Sequence, residues 1–381
     1  MNKKLLAAAV AVAVASPAAF AESTVYGKFH TSIDGQDYET QNVDNYEVNS
    51  RASRLGFKGS EDLGNGLKAI YQLELGFDST GDGPGQSGGN VFGSKTRNTF
   101  VGLSGDWGTF LVGRHDTPAK MAFYAAGTEL IGDSVIDLNL GNNLSGAYSA
   151  NAPIGVFHEY RANDAIAYVS PNFSGFTVAA AMIPGEDSGK KSPASTLTTT
   201  LTTTGGLVLP FSTTVSACKN QRDGLADHYS LGLMYKGNGL QAGAGYSKYD
   251  LDQCGSSSAD DYEVMQIGAS YTMNNFKFGA HYEDSSGVGG IKKNDYTAWG
   301  LVGKATFGNN AVSLLYTNAE LDAPTKAGNI DRDGWGLAGE HNFSKRTKVY
   351  AAYAAGSFDY KAPSKKDEDN DVFSLGMIHN F

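Results

Sequence analysis

From residue 22 to its end, the chain runs in segments that alternate apolar and polar side chains. Across residues 67–77 one parity carries Leu67, Ala69, Tyr71, Leu73, Leu75 and Phe77, and the other carries Lys68, Gln72 and Glu74. Phe276, Phe278, Ala280 and Tyr282 alternate likewise with Lys277, His281 and Glu283, and Trp335, Leu337 and Phe343 stand against Glu340. A period of two predicts β-strands with one greasy face and one wet face.

Such alternation fits a soluble sandwich as well as a barrel, so the connections decide between them. Seven are tight and rich in turn residues: 62–66, 105–108, 171–175, 237–239, 274–275, 308–310 and 343–346. Between them lie eight long polar segments, roughly 35–48, 79–94, 116–160, 184–226, 251–261, 285–294, 321–332 and 359–371. Short and long connections alternate strictly. Short turns at one end and long loops at the other are the habit of bacterial outer-membrane barrels. The pattern therefore predicts an all-β chain folded as a transmembrane antiparallel β-barrel of about sixteen strands, a number that leaves an aqueous channel where eight strands would fill their own interior. Trp107, Phe173, Phe176, Tyr235, Tyr271, Phe276, Phe307, Phe343 and Phe381 gather beside the short turns, as expected of an interfacial girdle.

The first residues change the picture by adding export. Lys3 and Lys4 precede an apolar run from Leu5 to Val14 and a small-residue site ending at Ala21, which predicts a secretory signal over 1–21. That run is too short to span a bilayer, which takes about 20 residues. Losing Lys3 and Lys4 takes the net charge from -10 to -12, an acidity that argues against nucleic acid as a partner. No linker-like shift in composition divides residues 22–381, which are expected to form one barrel domain. Cys218 and Cys254 fall in polar stretches of an exported chain; a disulfide, contributing about 3 to 4 kcal/mol, and two free thiols both remain open.

Local motifs then resemble one family. They are Val25-Tyr-Gly-Lys28, Ser53-Arg-Leu-Gly-Phe-Lys-Gly59, Lys95-Thr-Arg97 with Phe100-Val-Gly-Leu103, Val112-Gly-Arg114, and Arg161 followed by the run from Ala165 to Phe176. With the alternating last strand that stops at Phe381, they resemble the general porins of Gram-negative outer membranes through most of the chain. The resemblance implies a sixteen-stranded homotrimer in the outer membrane, in contact with lipid and lipopolysaccharide. It implies passive diffusion of small hydrophilic solutes and ions, and no catalysis, cofactor or metal; the excess of lumen and loop acid suggests a weak cation preference. Phe381 is implied to be the signal read by the barrel-assembly machinery. A substrate-preferring porin and an adhesion or receptor barrel remain alternatives.

By the same resemblance the segment 116–160 folds inward and narrows the pore. Thr117 suits an N-cap, Pro118 a first helical position and Gly127 the end of a short helix over 119–126. Asp116, Glu129, Asp133 and Asp137 are expected on the acidic loop face, with Lys28, Arg54, Lys58, Arg97 and Arg161 on the basic wall opposite. Parity supports lumen-facing side chains at Lys28, Arg54 and Lys58, because Phe29, Leu55 and Phe57 take the other face. Acid against base across a narrow pore selects small charged or dipolar solutes. The chain departs from the family in its fourth long segment, 184–226, which contains a Ser/Thr-rich run from Ser195 to Thr204.

Other motifs carry less. The Gly83-Pro-Gly85-Gln-Ser-Gly88 run matches a dinucleotide fingerprint by letter, but no helical pattern follows it. Gly132-Asp-Ser134-Val135 looks like an esterase nucleophile block without a partner histidine block. The run from Asp367 to Asp371 reads as a solvated acidic loop, and the seven histidines form no helical ligand pair.

Overall fold

The computed structural model describes residues 22–39, 42–80, 96–140, 153–185, 225–250 and 260–381. Its strands are β1 (Glu22–Tyr38), β2 (Val43–Ser50), β3 (Arg54–Gly64), β4 (Leu67–Gly76), β5 (Thr96–Gly105), β6 (Gly108–Asp116), β7 (Arg161–Val169) and β8 (Phe176–Ile183). They continue as β9 (His228–Gly237), β10 (Leu240–Tyr249), β11 (Tyr262–Met273), β12 (Phe276–Ser286), β13 (Asp295–Phe307), β14 (Asn310–Asp322), β15 (Ile330–Asn342), β16 (Thr347–Tyr360) and β17 (Glu368–Asn380). Neighbours pair antiparallel throughout, and β1 closes the ring on β17 from Lys28 against Asn380 to Tyr38 against Asn370.

The seventeen strands close as sixteen staves. β2 pairs with the second half of β1 and β3 with its first half, so the two are successive pieces of one stave. Thr31 faces Ser50 and Lys28 faces Arg54, which sets Phe29 and His30 opposite three residues, Arg51, Ala52 and Ser53. This extra residue is a bulge, with Ala52 at a φ of 48°.

Alternation sorts the two faces as expected. Phe29, Ile33, Ile267, Leu301, Leu314 and Leu375 point outward and are about half exposed, while Ser32, Gln266, Ser313 and Ser374 on the same strands are buried inside. An outward apolar band on a ring without edges suits lipid, where every backbone polar group must be satisfied within the ladder. No described helix is long and apolar enough to cross a membrane.

All seven tight connections are turns. Asn65-Gly66 and Asn238-Gly239 both take positive φ at both positions, the mirror-image turn that matches strand twist. The long connections differ from expectation at several places. β1 and β2 run far into 35–48 and leave only residues 39–42 between them, and β17 begins within the acidic run at Glu368. Polar residues stay in the ladder there because both faces of a strand that rises beyond the membrane are wet, a state that alternation does not register. Cys218 and Cys254, the signal segment 1–21, and residues 186–224 of the fourth long connection lie outside the described residues.

Candidate pore constriction

The connection after β6 starts as Thr117 caps a short helix, α1 (Pro118–Ala125), by accepting the Lys120 N–H at 3.3 Å. Proline takes the first helical position, and Gly127 at a φ of 66° ends the turn. The helix therefore begins one residue before the expected 119–126. It packs inside the barrel on β9 and β10, whose glycines make the seat. A Cβ on Gly243 would lie 1.8 Å from the Ala122 carbonyl oxygen, and one on Gly245 would lie 2.6 Å from Ala119 Cα. Ser230 accepts the Ala119 N–H at 3.0 Å, and Ser270 donates to the Ala126 carbonyl at 2.7 Å.

The return limb, residues 154–158, lies across five consecutive strands, and each of them holds it with one side chain. Gln266 of β11 donates to the His158 carbonyl at 2.6 Å, and Glu283 of β12 accepts the His158 N–H at 2.8 Å. Tyr296 of β13 donates to the Val156 carbonyl, Thr317 of β14 to Ile154 at 3.0 Å, and Arg332 of β15 to Gly155 at 2.7 Å. Ile154 and Phe157 of the limb pack with Ile131, Val135, Ile136 and Leu138 in the main buried apolar cluster.

Between helix and limb the chain turns at Asp133, which has a φ of 64°. Its Oδ2 lies 2.5 Å from Lys28 Nζ and 3.5 Å from Arg54 Nη1. Burial alone would push the Asp133 carboxyl up, but the Lys28 and Arg54 charges hold it below the usual range. Glu129 and Asp137 do not reach the basic wall. Glu129 accepts the Leu138 N–H at 3.2 Å, and Asp137 accepts those of Asp133 and Asn139. Burial, then the neighbouring Asp137 charge, pushes Glu129 well above the carboxylate range; burial and Asp133 push Asp137 up as well.

Asp116 sits at the root of the loop. It pairs with Arg161 at 2.8 Å and Lys120 at 3.5 Å, and accepts from Asn98 at 2.9 Å. Lys120 also reaches Glu159 at 2.9 Å, where Tyr124 donates to the same carboxylate. On the wall, Arg97 pairs with Glu74 at 2.5 Å, and Lys58 lies 5.1 Å from the centre of the Tyr26 ring. Sequence reasoning missed Arg51, which pairs with Asp34 and donates to Ser32 at 3.1 Å. The bulge turns both Arg51 and Arg54 inward; in an unbroken strand, residues three apart take opposite faces. Ser134 donates its hydroxyl to the Ile131 carbonyl at 2.6 Å, inside the turn of the loop.

A barrel that carries a loop docked inside and charged groups on its inner wall can be compared with known proteins. A family model described as Gram-negative porin matches residues 7–361. The chain belongs to that family. Among curated relatives of this porin, the major outer membrane protein P.IA of Neisseria meningitidis is 26% identical over 400 residues, which cover 93% of this chain and 94% of that one. The P.IB protein of Neisseria gonorrhoeae is 31% identical over half of each chain. Among solved structures, an anion-selective porin from Comamonas acidovorans has a TM-score of 0.69 at 22% identity and covers 95% of this chain and 100% of that one. Salmonella typhi OmpF, in a complex with daunomycin, has a TM-score of 0.62 at 16% identity and covers 95% and 98%. The porin is an outer-membrane protein.

Proposed function

We propose that the chain is a general diffusion porin, a passive water-filled channel for small hydrophilic solutes and ions, narrowed by the loop over 116–160. One observation carries this reading: inside a sixteen-stave ring, the loop brings Asp133 against Lys28 and Arg54 of the opposite wall. Solute then passes between the loop and the wall of Arg54, Lys58, Arg97 and Arg161. In place of the weak cation preference expected from composition, we infer a weak anion preference. Asp133 is held by two cations, Lys58 has no ion pair among the described residues, and Glu129 and Asp137 fold back on the loop with carboxyls that burial pushes up, so the wall that solute meets presents more base than acid. The similar Comamonas porin is described as anion-selective, which agrees with that sign.

The reading extends to a homotrimer, to export by residues 1–21, and to assembly through the last strand ending at Phe381. Reversal potentials across a potassium chloride gradient test the channel and its sign together. The expected result is a stable conductance with chloride more permeant than potassium. Absence of conductance from the purified, folded protein sinks the channel, whereas a potassium-selective current sinks only the sign.

A further inference from the structure

On the short-turn side of α1, the lumen wall that carries the docked loop is itself basic. Lys277 of β12 and Lys304 of β13 are direct cross-strand partners on the inward face. Two like charges set opposite each other destabilise a sheet. Lys348 of β16 and Lys236 near the end of β9 extend the arc on either side. Among the described residues a single carboxylate serves this group: Glu340 of β15 bridges Lys304 and Lys348, the latter at 2.8 Å. Lys277 instead donates to the neutral Gln241 Oε1 at 3.3 Å, and among the described residues no ion pair reaches Lys277 or Lys236. Gln241 also fixes the depth of the arc, since a Cβ on Gly127 would lie 2.6 Å from its Oε1. The lysines therefore follow immediately after the loop along the channel. Ser313, in register with Lys304, adds a fully buried hydroxyl without a partner.

Glu340 accounts structurally for Lys304 and Lys348. It does not account for Lys277, which faces Lys304 across the strand pair with only a neutral acceptor, or for Lys236, whose charge adds to the same repulsion; an anion held among them would relieve it. We propose that this lysine arc is a binding station for small divalent oxyanions such as sulfate, hydrogen phosphate or short dicarboxylates, which passing solute meets after the constriction. The inference rests on the channel reading and adds a second site to it. Lys277 and Lys304, neighbours across one strand pair, can both donate to one doubly charged oxyanion, which they favour over chloride because each charge-assisted hydrogen bond is stronger to the more concentrated charge.

The test is chloride current through the purified porin in a planar bilayer, with potassium sulfate titrated from the short-turn side. Saturable inhibition is expected, at lower sulfate concentration from that side than from the other. Lys277→Gln should raise the half-inhibiting concentration roughly twofold to threefold, the Boltzmann weight of one unit charge acting across several ångströms of water. Lys236→Gln should move it in the same direction, so the comparison survives if one variant fails to assemble. Lys292→Gln, at an exposed position outside the strands, should leave it unchanged. A conducting porin whose current ignores sulfate, or is inhibited equally in wild type and both lumen variants, overturns the arc and leaves the channel standing. Loss of all conductance in the wild type overturns the channel and the arc with it.

Discussion

Asp133 is held by two cations from the facing wall, so its removal changes the field of the pore more than its packing. Asp133→Asn should raise the chloride-to-potassium permeability ratio about twofold, as Lys28 and Arg54 lose their common counter-charge. A shift of reversal potential toward chloride checks this, and no shift would remove Asp133 from the narrow zone. Glu159 supplies a pH dependence. Burial pushes its carboxyl up to about 7, against the opposing pull of Lys120 and with a further push from Asp137. Because the folded group binds its proton more tightly than the unfolded one, this group's contribution to stability falls as pH rises from the ordinary carboxylate range through about 7. Acidification from pH 8 to 6 should accordingly neutralise Glu159, leave Lys120 with Asp116 as its one charged partner and increase anion preference, and Glu159→Gln should flatten that profile. At this scale the sequence was legible where parity held, as at Lys28 and Lys58. It was illegible at Glu129 and Asp137, which were expected beside Asp133 on the acidic loop face, whereas the chain turns at Asp133 and folds both back on the loop. Arg51 was hidden because the parity rule breaks at the added residue beside it.

The inward loop is an element with two kinds of attachment, glycine seats under the helix and single side-chain hydrogen bonds along the return limb. Gly243→Val should unseat α1, since even a Cβ collides with the Ala122 carbonyl. The expected readout is a larger and noisier single-channel conductance, while unchanged conductance would mean that the helix does not bound the pore. Arg332→Ala should leave the Gly155 carbonyl without its donor at a cost of about 1 to 3 kcal/mol, visible as a lower unfolding temperature in detergent. The capping chemistry of Thr117, Pro118 and Gly127 was readable in sequence because it is local. The docking was not, because it depends on which strands lie beneath, and glycines such as Gly232 and Gly243 read as turn or strand-weakening residues until the helix is seen above them.

The ring as a whole is closed by its ends. Phe381 and Gly27 exchange backbone hydrogen bonds at 3.1 and 3.2 Å, and the Phe381 ring lies over Gly27, where a Cβ would come within 2.3 Å of it. Deleting Phe381 should therefore lower the yield of assembled barrel while leaving the conductance of each folded pore unchanged, as measured by heat-modifiable mobility beside single-channel recording. Architecture at this scale was the most legible, because loop asymmetry and strand number follow from the whole chain and tolerate local errors. The long connections were read too generously, since strand that leaves the membrane loses its apolar parity before it loses its pairing.

The bulge at Arg51, Ala52 and Ser53 has a consequence for how the gene can vary. Losing one codon at Ala52 would keep the reading frame and every charge, and it would leave Arg51 and Arg54 two residues apart on one face of an unbroken strand, both still inward. Insertions in the long connections leave the staves untouched and should accumulate freely. Loss of a codon between Arg54 and Lys58 would instead put those two on opposite faces and send one into the bilayer, at about 2 to 4 kcal/mol near its middle, so length is under selection in the regular run and not at the bulge.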